Sequence, residues 1–310
     1  MLKYVKEYRW ADMRQIRAND RAAQRRTDAR LDGKRCVITG CTSGVGWEAA
    51  RRLAGYGATL LMINRNREKS EVACAALRME FGVDCDYILA DFADLSQVRD
   101  AAGAVLASWD HIDLLINNVG MHSTKRTRTP GGLETVFCVN HLASFLLTWK
   151  LLDTMRSSAP ARIIQVNSQG HRFGGLDIND LDWKRRHYTG LRGYGASKTA
   201  QLLTVWEFAE RLSGTEVTIN AMHPGAVRSN IGSNNGPVYR WYKDKILSRT
   251  LGDPASSGQA IHYLAAAPEL GTVSGKYFNL THPEKPAPHA LDREIGRIVW
   301  EKSLRLAGLP

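Results

Sequence analysis

The sequence predicts an α/β fold: a single doubly wound domain in which a seven-stranded parallel sheet is flanked by helices on both faces. Short runs rich in β-branched and aliphatic residues alternate with helical patterns from residue 34 onward, which is the order of βαβ units. These runs are continuously apolar rather than alternating, as expected of strands that are buried on both faces. No long linker or internal repeat interrupts the sequence, so we assign residues 34–310 to one domain.

The elements of this domain can be assigned in order along the chain. We predict strands at residues 35–40, 59–64, 87–90, 114–117, 162–167, 217–222 and 276–280. We predict helices at residues 45–56, 67–81, 96–108, 133–155, 194–212 and 255–266. Ligands bind beyond the carboxyl ends of parallel strands, so the irregular segments 169–193 and 226–252 should border the site. We predict the second of these segments as a lid over the substrate.

Composition narrows the class of protein. The 310 residues are 44% hydrophobic and 24% charged, which is typical of a globular protein. No apolar run approaches the roughly 18–20 residues that span a bilayer, and the N-terminus lacks the apolar core of a signal peptide. The five cysteines, at positions 36, 41, 74, 85 and 138, form no Cys-x-x-Cys pair. We therefore expect reduced cysteines and a cytoplasmic protein.

The net charge of +11 is concentrated near the N-terminus. Residues 1–35 contain eleven Lys or Arg and five Asp or Glu, and we predict that residues 1–33 form a basic helical extension. Because acids are interspersed among the bases and no nucleic-acid-binding motif follows, we expect no nucleic-acid partner. Peripheral contact with a membrane, a solvated helix, and a bracket across the domain or a partner subunit all remain open.

A glycine-rich turn follows the first predicted strand. The sequence TGCTSGVG places Gly40, Gly44 and Gly46 between a predicted strand and a predicted helix. Glycines here permit a tight turn and a close approach of a pyrophosphate to backbone N–H groups, while the helix N-terminus favours its negative charge. An ordinary glycine-rich turn is the alternative, but the strand before and the helix after favour a Rossmann-type dinucleotide site.

The end of the second strand indicates which dinucleotide is bound. A free ribose 2′-hydroxyl calls for Asp or Glu near Asn64, yet residues 59–67 contain no acid and include Arg65 and Arg67 instead. A guanidinium suits a 2′-phosphate through charge-assisted hydrogen bonds. We therefore predict NADP(H) rather than NAD(H), the alternative being two surface arginines that begin a helix.

Tyr194 and Lys198 lie four residues apart, on one face of a predicted helix. An ammonium favours the phenolate, so Lys198 can lower the pKa of Tyr194 and allow proton transfer near neutral pH. Ser168, at the carboxyl end of the fifth strand, can hydrogen-bond the substrate oxygen. The alternative is a core tyrosine beside a lysine that reaches solvent.

The histidines and acidic residues indicate neither a hydrolase nor a metal site. Ser168 lacks a Gly-x-Ser-x-Gly elbow, and His171 and His187 lack the His-Glu-x-x-His spacing. The aspartates of residues 177–182 lack the glycine and closing glutamate of a calcium loop. We therefore predict no metal.

Taken together, these motifs resemble the short-chain dehydrogenase/reductase family. The TGxxxGxG loop of that family is matched by TGCTSGVG, and its NNAG motif is matched by NNVG at 117–120. The family's later motifs follow in the same order: Asn140 in CVNHLASFLLT, Ser168 in IIQVNSQGH, Tyr194 and Lys198 in YGASK, and His-Pro-Gly at 223–225. The resemblance spans about residues 34–281. Within the family, VNHLASFLLT, HPGAVRS, SGKYF and the tail REIGRIVWEKSLRLAGL resemble the retinol dehydrogenase-like branch, which acts on lipophilic alcohols and carbonyls.

The resemblance implies roles for individual residues. Tyr194 is the expected general acid/base and Ser168 the expected partner of the substrate oxygen. Lys198 is expected to hold the nicotinamide ribose as well, and Asn140 to hold a water in a proton relay to Lys198. The expected cofactor contacts are Gly40, Thr42, Ser43, Gly44, Val45, Gly46, Asn64, Arg65, Asp91, Phe92, Asn117, Asn118, Val119, Gly120, Tyr194, Lys198, Pro224, Gly225, Val227 and Ser229. The expected substrate contacts are Gln169, His171, Tyr239, Trp241 and Tyr242.

We therefore expect an NADP(H)-dependent oxidoreductase that interconverts an alcohol and its carbonyl. A lipophilic substrate, such as a retinoid, a steroid or an aromatic compound, is favoured by the apolar lid residues Val238, Tyr239, Trp241, Tyr242, Ile246 and Leu247. Reduction of an activated C=C bond and a non-catalytic NADP(H)-binding sensor or scaffold are the alternatives. Asn167 and Val119 depart from the branch without removing a proton-handling group. The family often forms dimers or tetramers, so the resemblance also implies a homo-oligomer.

Overall fold

The computed structural model describes residues 10–225 and 253–310, and the predicted lid at 226–252 lies outside them. The strands are β1 (Arg35–Thr39), β2 (Thr59–Asn64), β3 (Cys85–Leu89), β4 (Leu114–Asn117), β5 (Ala161–Val166), β6 (Val217–His223), β7 (Tyr277–Asn279) and β8 (His282–Pro283). They form one sheet in the order β3-β2-β1-β4-β5-β6-β7-β8. The order reverses between β1 and β4, and doubly wound sheets bind their ligands at such a switch point.

The described part of the sheet has eight strands, one more than predicted. Strands β1 to β7 are parallel, whereas β8 pairs antiparallel with β7, Asn279 opposite His282. The chain reverses at Leu280, which has a φ of 53°. A strand of two residues carries no hydrophobic pattern, so the sequence did not predict it.

Helices cover both faces of this sheet. They are α1 (Trp10–Arg21), α2 (Gly44–Gly55), α3 (Arg67–Phe81), α4 (Leu95–Ser108), α5 (Thr135–Ser157), α6 (Gly190–Arg211), α7 (Ala255–Ala266) and α8 (Arg293–Leu306). Their boundaries follow local chemistry: the Asn66 side chain accepts a hydrogen bond from the Lys69 N–H at the start of α3, and Gly82, with a φ of 66°, ends it. Asp94 accepts from the Ser96 N–H in the same way at the start of α4.

Two hydrophobic layers join the helices to the sheet. Helices α4, α5 and α6 pack on one face together with α8, and helices α2, α3 and α7 pack on the other. Ile38 and Val37 of β1 are both fully buried, one in each layer. This burial on both faces explains the continuous apolar runs in the sequence.

Helix α5 is long and largely apolar. It is the one helix in the described ranges that is long and apolar enough to span a membrane, and 83% of its apolar window is buried inside the protein. Phe145, Leu146 and Leu151 pack in the core between α4 and α6. The expectation that no apolar stretch reaches this length was wrong, because a helix buried on most sides is apolar around most of its circumference. A π turn at Cys138–Leu142 interrupts it.

After α1, residues 22–31 run from β8 to the C-terminal end of α2. The imidazole of His282 in β8 is 3.0 Å from the Ala23 carbonyl oxygen, and the Leu31 N–H donates to the Tyr56 carbonyl oxygen beyond α2 at 2.7 Å. These contacts agree with a bracket across the domain.

Candidate active site

The glycine-rich turn between β1 and α2 closes on itself. Gly40 and Gly44 have φ values of 70° and 56°, in the left-handed region. A Cβ on Gly46 would lie 2.1 Å from the Gly40 carbonyl oxygen and 2.4 Å from Asn118 Nδ2, so the turn needs glycine there. The first N–H groups of α2 have no acceptor within the helix, and the turn therefore fits a phosphate group. The turn contains three other expected contacts. Thr42 is half-buried, Ser43 is exposed and Val45 is buried.

The loop after β4 supports this turn from the side. Asn118 Nδ2 donates to the carbonyl oxygens of Thr39 and Gly40, both at 3.0 Å. Asn117 faces the other way, since its Nδ2 donates to Thr148 Oγ1 of α5 at 2.8 Å and its side chain is buried. Asn118 therefore shapes the cofactor turn directly, whereas Asn117 anchors the loop to the core.

The end of β2 combines one buried and one exposed side chain. Asn64 is buried, and its Oδ1 accepts from the Cys41 N–H at 2.8 Å, which fixes the start of the glycine turn. The Arg65 side chain is 69% exposed, with its guanidinium 3.9 Å from the Asp91 carboxylate. Phe92 is buried in the core behind them. Arg65 is thus held only loosely and can reach a phosphate at this corner.

Asn140 lies in the π turn of α5 and holds the loop after β4. Its Oδ1 accepts from the Met121 N–H at 2.7 Å, and its Nδ2 donates to the Met121 carbonyl oxygen at 3.0 Å and to Ser197 Oγ at 2.9 Å. A Cβ on Gly120 would lie 3.7 Å from Asn140 Oδ1 and 3.8 Å from Lys198 Nζ. The half-buried Val119 precedes this glycine. The side chain of Asn140 therefore positions the backbone of Met121. The main-chain carbonyl of Asn140 faces α6.

Ser168 and Tyr194 meet beyond the carboxyl end of β5. The Gly170 N–H donates to Ser168 Oγ at 3.0 Å, and a Cβ on Gly170 would lie 2.4 Å from Tyr194 Cε1. Glycine is thus what allows the phenol ring to lie against this loop. Burial raises the pKa of Tyr194 above its usual value, and a hydrogen bond with Ser168 opposes the rise. The phenol therefore holds its proton at neutral pH.

Lys198 is buried one helical turn after Tyr194. Its Nζ donates to the Val166 carbonyl oxygen at 3.0 Å and to Gln201 Oε1 at 3.1 Å, and it lies 5.9 Å from the centre of the Tyr194 ring. Burial lowers the pKa of Lys198 to about 7. We expected Lys198 to lower the pKa of Tyr194, but the pKa of the phenol is raised. The reason is that burial penalises the charged form of both groups.

The two described residues that we expected to touch substrate are held by the protein instead. His171 is fully buried, with Nδ1 2.7 Å from the Ser168 carbonyl oxygen and Nε2 accepting from the Ala287 N–H at 3.1 Å. This pairing assigns the proton to Nδ1, and burial lowers the pKa of His171 well below its usual value. Gln169 Nε2 donates to Glu284 Oε1 at 2.6 Å. Both residues therefore support the loop that carries Ser168.

Sequence reasoning missed two buried polar residues beside this site. The Glu284 side chain is 1% exposed and accepts from Arg172 at 3.0 Å and from Asn279 at 3.0 Å, which ties the Ser168 loop to β7. No periodicity in its turn-rich stretch could have revealed it. Gln201 contacts Lys198, and its spacing of seven from Tyr194 places it on the same helix face, a signal that was available in the sequence.

The last predicted contacts lie after β6. The Pro224 carbonyl oxygen accepts from Ser257 Oγ, and Gly225 has a φ of 85°. The remaining expected contacts, Val227, Ser229, Tyr239, Trp241 and Tyr242, lie outside the described residues.

Similarity to known proteins agrees with this arrangement. Residues 34–238 match the family model described as short chain dehydrogenase. The chain is 38% identical over 292 residues to human retinol dehydrogenase 13, covering 91% of this chain and 86% of that protein. It is 35% identical over 299 residues to mouse retinol dehydrogenase 14, covering 90% of this chain and 87% of that protein.

Solved structures share the fold. An uncharacterized protein from Mycobacterium paratuberculosis superposes with a TM-score of 0.72 at 27% identity, covering 91% of this chain and 96% of that one. A short-chain dehydrogenase from Burkholderia cenocepacia J2315, solved in complex with NADP, has a TM-score of 0.64 at 22% identity, covering 83% and 99%. With the family model and the curated relatives, these findings show that the chain belongs to the short-chain dehydrogenase/reductase family, as an oxidoreductase of its retinol dehydrogenase-like branch.

Proposed function

We propose that this protein is an NADPH-dependent reductase that converts a lipophilic aldehyde or ketone into its alcohol. The observation that carries the proposal is the buried Tyr194, placed beside Ser168 at the carboxyl end of β5. Because burial raises its pKa, the phenol keeps its proton at neutral pH and is prepared to act as an acid. Alcohol oxidation by the same residues requires the phenolate and is therefore expected at higher pH.

The residues at the end of β1 and β2 fit NADP(H). The glycine turn and the N-terminus of α2 would hold the pyrophosphate, and the exposed guanidinium of Arg65 would pair with a 2′-phosphate. The nicotinamide, when bound, supplies the hydride. The Burkholderia protein of the same fold was solved with NADP, which supports this choice of cofactor.

Three side chains would act on the reacting oxygen or its proton. Tyr194 would donate its hydroxyl proton as negative charge develops on that oxygen, and Ser168 would donate a hydrogen bond to it. The Lys198 ammonium would stabilise the phenolate that remains. Burial lowers the pKa of Lys198 to about 7, so this assistance is expected to fade as the pH rises above neutrality.

The choice of a lipophilic substrate rests on the relatives. The proteins matched over most of their length include retinol dehydrogenases 12, 13 and 14, at 34–38% identity. Retinoids are therefore the first compounds to try, followed by steroids and aromatic carbonyls.

An α,β-unsaturated aldehyde tests the proposal and its alternative in one assay. Purified protein is incubated with NADPH and retinal or a long-chain enal, and the products are separated by chromatography. The proposal predicts the allylic alcohol, because Tyr194 and Ser168 address the carbonyl oxygen. A saturated aldehyde would instead establish reduction of the C=C bond. Tight NADPH binding without turnover of any carbonyl would contradict catalysis and favour a sensor or scaffold.

Replacing the phenol of Tyr194 tests whether its hydroxyl group is catalytic. We expect Tyr194→Phe to lower kcat by about 10²–10⁴-fold, the usual effect of removing a general acid, with NADPH affinity nearly unchanged. Tyr188→Phe is the matched control, because the Tyr188 hydroxyl lies 3.4 Å from the Ser123 carbonyl oxygen rather than beside Ser168. Turnover that survives in Tyr194→Phe would remove Tyr194 from the mechanism.

A further inference from the structure

Gln201 lies at the junction of three elements around Lys198. It is buried on α6, one turn after the lysine. Its Oε1 accepts from Lys198 Nζ at 3.1 Å and from Asn167 Nδ2 at 2.8 Å, and its Nε2 donates to the Asn140 carbonyl oxygen at 2.6 Å. The carboxamide thus joins the end of β5, the π turn of α5 and the lysine.

The orientation of this amide follows from its neighbours. Lys198 has only donors to offer, so the atom that faces it must be Oε1. The Asn140 carbonyl has only acceptor sites, so the atom that faces it must be Nε2. Asn167 agrees with both, since its Oδ1 accepts from the Ser168 N–H at 2.8 Å, which turns its Nδ2 toward Gln201. A flipped amide would set like groups against each other at each contact.

The Asn140 carbonyl is therefore already engaged by the protein. It accepts from Gln201 Nε2 at 2.6 Å, whereas Ser144 Oγ is 3.2 Å from it and 3.0 Å from the His141 carbonyl oxygen. A carboxamide does not titrate, so Gln201 can hold an ammonium in place without taking its proton.

We propose that Gln201 is a positioning residue that fixes the Lys198 ammonium beside Tyr194. The inference rests on the proposed function and deepens it. Two neutral oxygens, of Val166 and Gln201, are the acceptors that keep this buried group charged. Among the ion pairs of the described residues, none involves Lys198.

The titratable groups near Lys198 come from each packed element. Tyr194 lies on the same helix, and His122, after β4, has its ring centre 5.8 Å from that of Tyr194. His171 lies on the loop after β5 and supports Ser168. His141, next to Asn140 on α5, faces Ser303 of α8 at 2.7 Å. Burial lowers the pKa of each of the three histidines, so they are neutral above pH 7. A loss of positive charge near Tyr194 above this pH is therefore assigned to Lys198.

Two substitutions of Gln201 should move the pH profile in opposite directions. Gln201→Met keeps the side-chain volume but removes an acceptor from the ammonium, so Lys198 should lose its proton at lower pH. Gln201→Glu gives the ammonium an anionic partner, so Lys198 should keep its proton to higher pH. We expect the midpoint at which carbonyl reduction fades with rising pH to shift by about one pH unit down for Met and up for Glu.

The kinetic constants add a second readout. Gln201→Met should lower kcat about tenfold or more while the KM for the carbonyl changes less than about twofold, since Gln201 does not reach the substrate. Gln165→Met is the matched control: this buried glutamine donates to the Asn117 carbonyl oxygen at 3.3 Å and not to the Lys198 site. It should leave the pH midpoint unchanged. Shifts in the same direction for Met and Glu, or none in either, would overturn the proposal.

A titration without turnover keeps this test separate from the proposed function. The protein is labelled with ¹³Cε-lysine, the Lys198 signal is assigned by its loss in Lys198→Arg, and its chemical shift is followed against pH. The pKa of Lys198 should be lower in Gln201→Met and higher in Gln201→Glu than in the wild type. If the wild type reduces no carbonyl but these shifts appear, the proposed reaction is wrong and the role of Gln201 stands. If carbonyl reduction is found but the lysine pKa does not move, the reverse holds.

Discussion

Arg65 and Arg67 are two residues apart in the sequence, but different side chains contact them. The Arg65 guanidinium has a distant partner, Asp91 at 3.9 Å. Arg67 lies 4.0 Å from Glu71 within α3 and 3.4 Å from the Tyr87 hydroxyl. Because Arg67 has the Tyr87 hydroxyl as an additional partner, the proposed assignment of NADP(H) gives the recognition of the 2′-phosphate to Arg65.

This difference leads to a prediction on cofactor affinity. We expect Arg65→Ala to weaken NADPH binding roughly tenfold, equivalent to about 1.4 kcal/mol, because a charge-assisted hydrogen bond is lost. NADH binding should change little, and Arg67→Ala should affect neither cofactor. Fluorescence titrations of both cofactors measure the ratio. If wild-type protein binds NADH more tightly than NADPH, the assignment of NADP(H) is wrong.

Among the elements, the β1–α2 turn needs glycine for its own packing as well as for the approach of a ligand. Gly46 faces the Gly40 carbonyl and the Asn118 side chain, so the turn and the loop after β4 behave as one unit. Gly103, in α4, has open space where a Cβ would lie. The two helical glycines should therefore respond differently to replacement by alanine.

We expect Gly46→Ala to lower the free energy of unfolding by about 1–3 kcal/mol, the usual cost of overpacking, and to weaken NADPH binding as the turn opens. Gly103→Ala should raise the free energy of unfolding by up to about 1 kcal/mol, because alanine favours a helix interior over glycine. Denaturant melts of both variants measure this. Equal stability of the two variants would show that the turn relaxes around an added methyl group.

Across the whole molecule, buried neutral histidines tie stability to pH. Burial lowers the pKa of His141 to about 3, whereas the unfolded chain binds that proton near pH 6.5. The unfolded state therefore holds more protons below pH 6.5, and the stabilising contribution of neutral His141 is complete above this pH and lost as the pH falls toward the folded-state pKa. His171 acts with the same sign.

We expect the free energy of unfolding to fall by about 1.4 kcal/mol per pH unit for each such histidine between roughly pH 6 and 4.5. His141→Leu should remove one of these contributions and make the dependence shallower, although the contact with Ser303 Oγ is lost. Urea melts at several pH values give the slope. An unchanged slope in His141→Leu would show that His141 titrates alike in both states.

The sequence by itself determined the elements whose signals are local. The two boundaries of α3 and of α7 agree with prediction, because each depends on periodicity, caps and breakers within a few residues. The glycine turn, Ser168, Tyr194 and Lys198 were named from short local motifs at the end of a strand or on one helix face, whereas Asn140 was named from the family resemblance. The order of the parallel strands then brought these residues to one edge of the sheet.

Only the tertiary structure decided what these side chains do to one another. Their burial raises the pKa of Tyr194 and lowers that of Lys198, which spacing along a helix cannot reveal because desolvation depends on every element packed around them. His171 is a buried support and not a substrate contact for the same reason. Gln201 reaches Asn140 across a sequence separation of sixty-one residues, and such a contact exists only once α5 and α6 pack side by side.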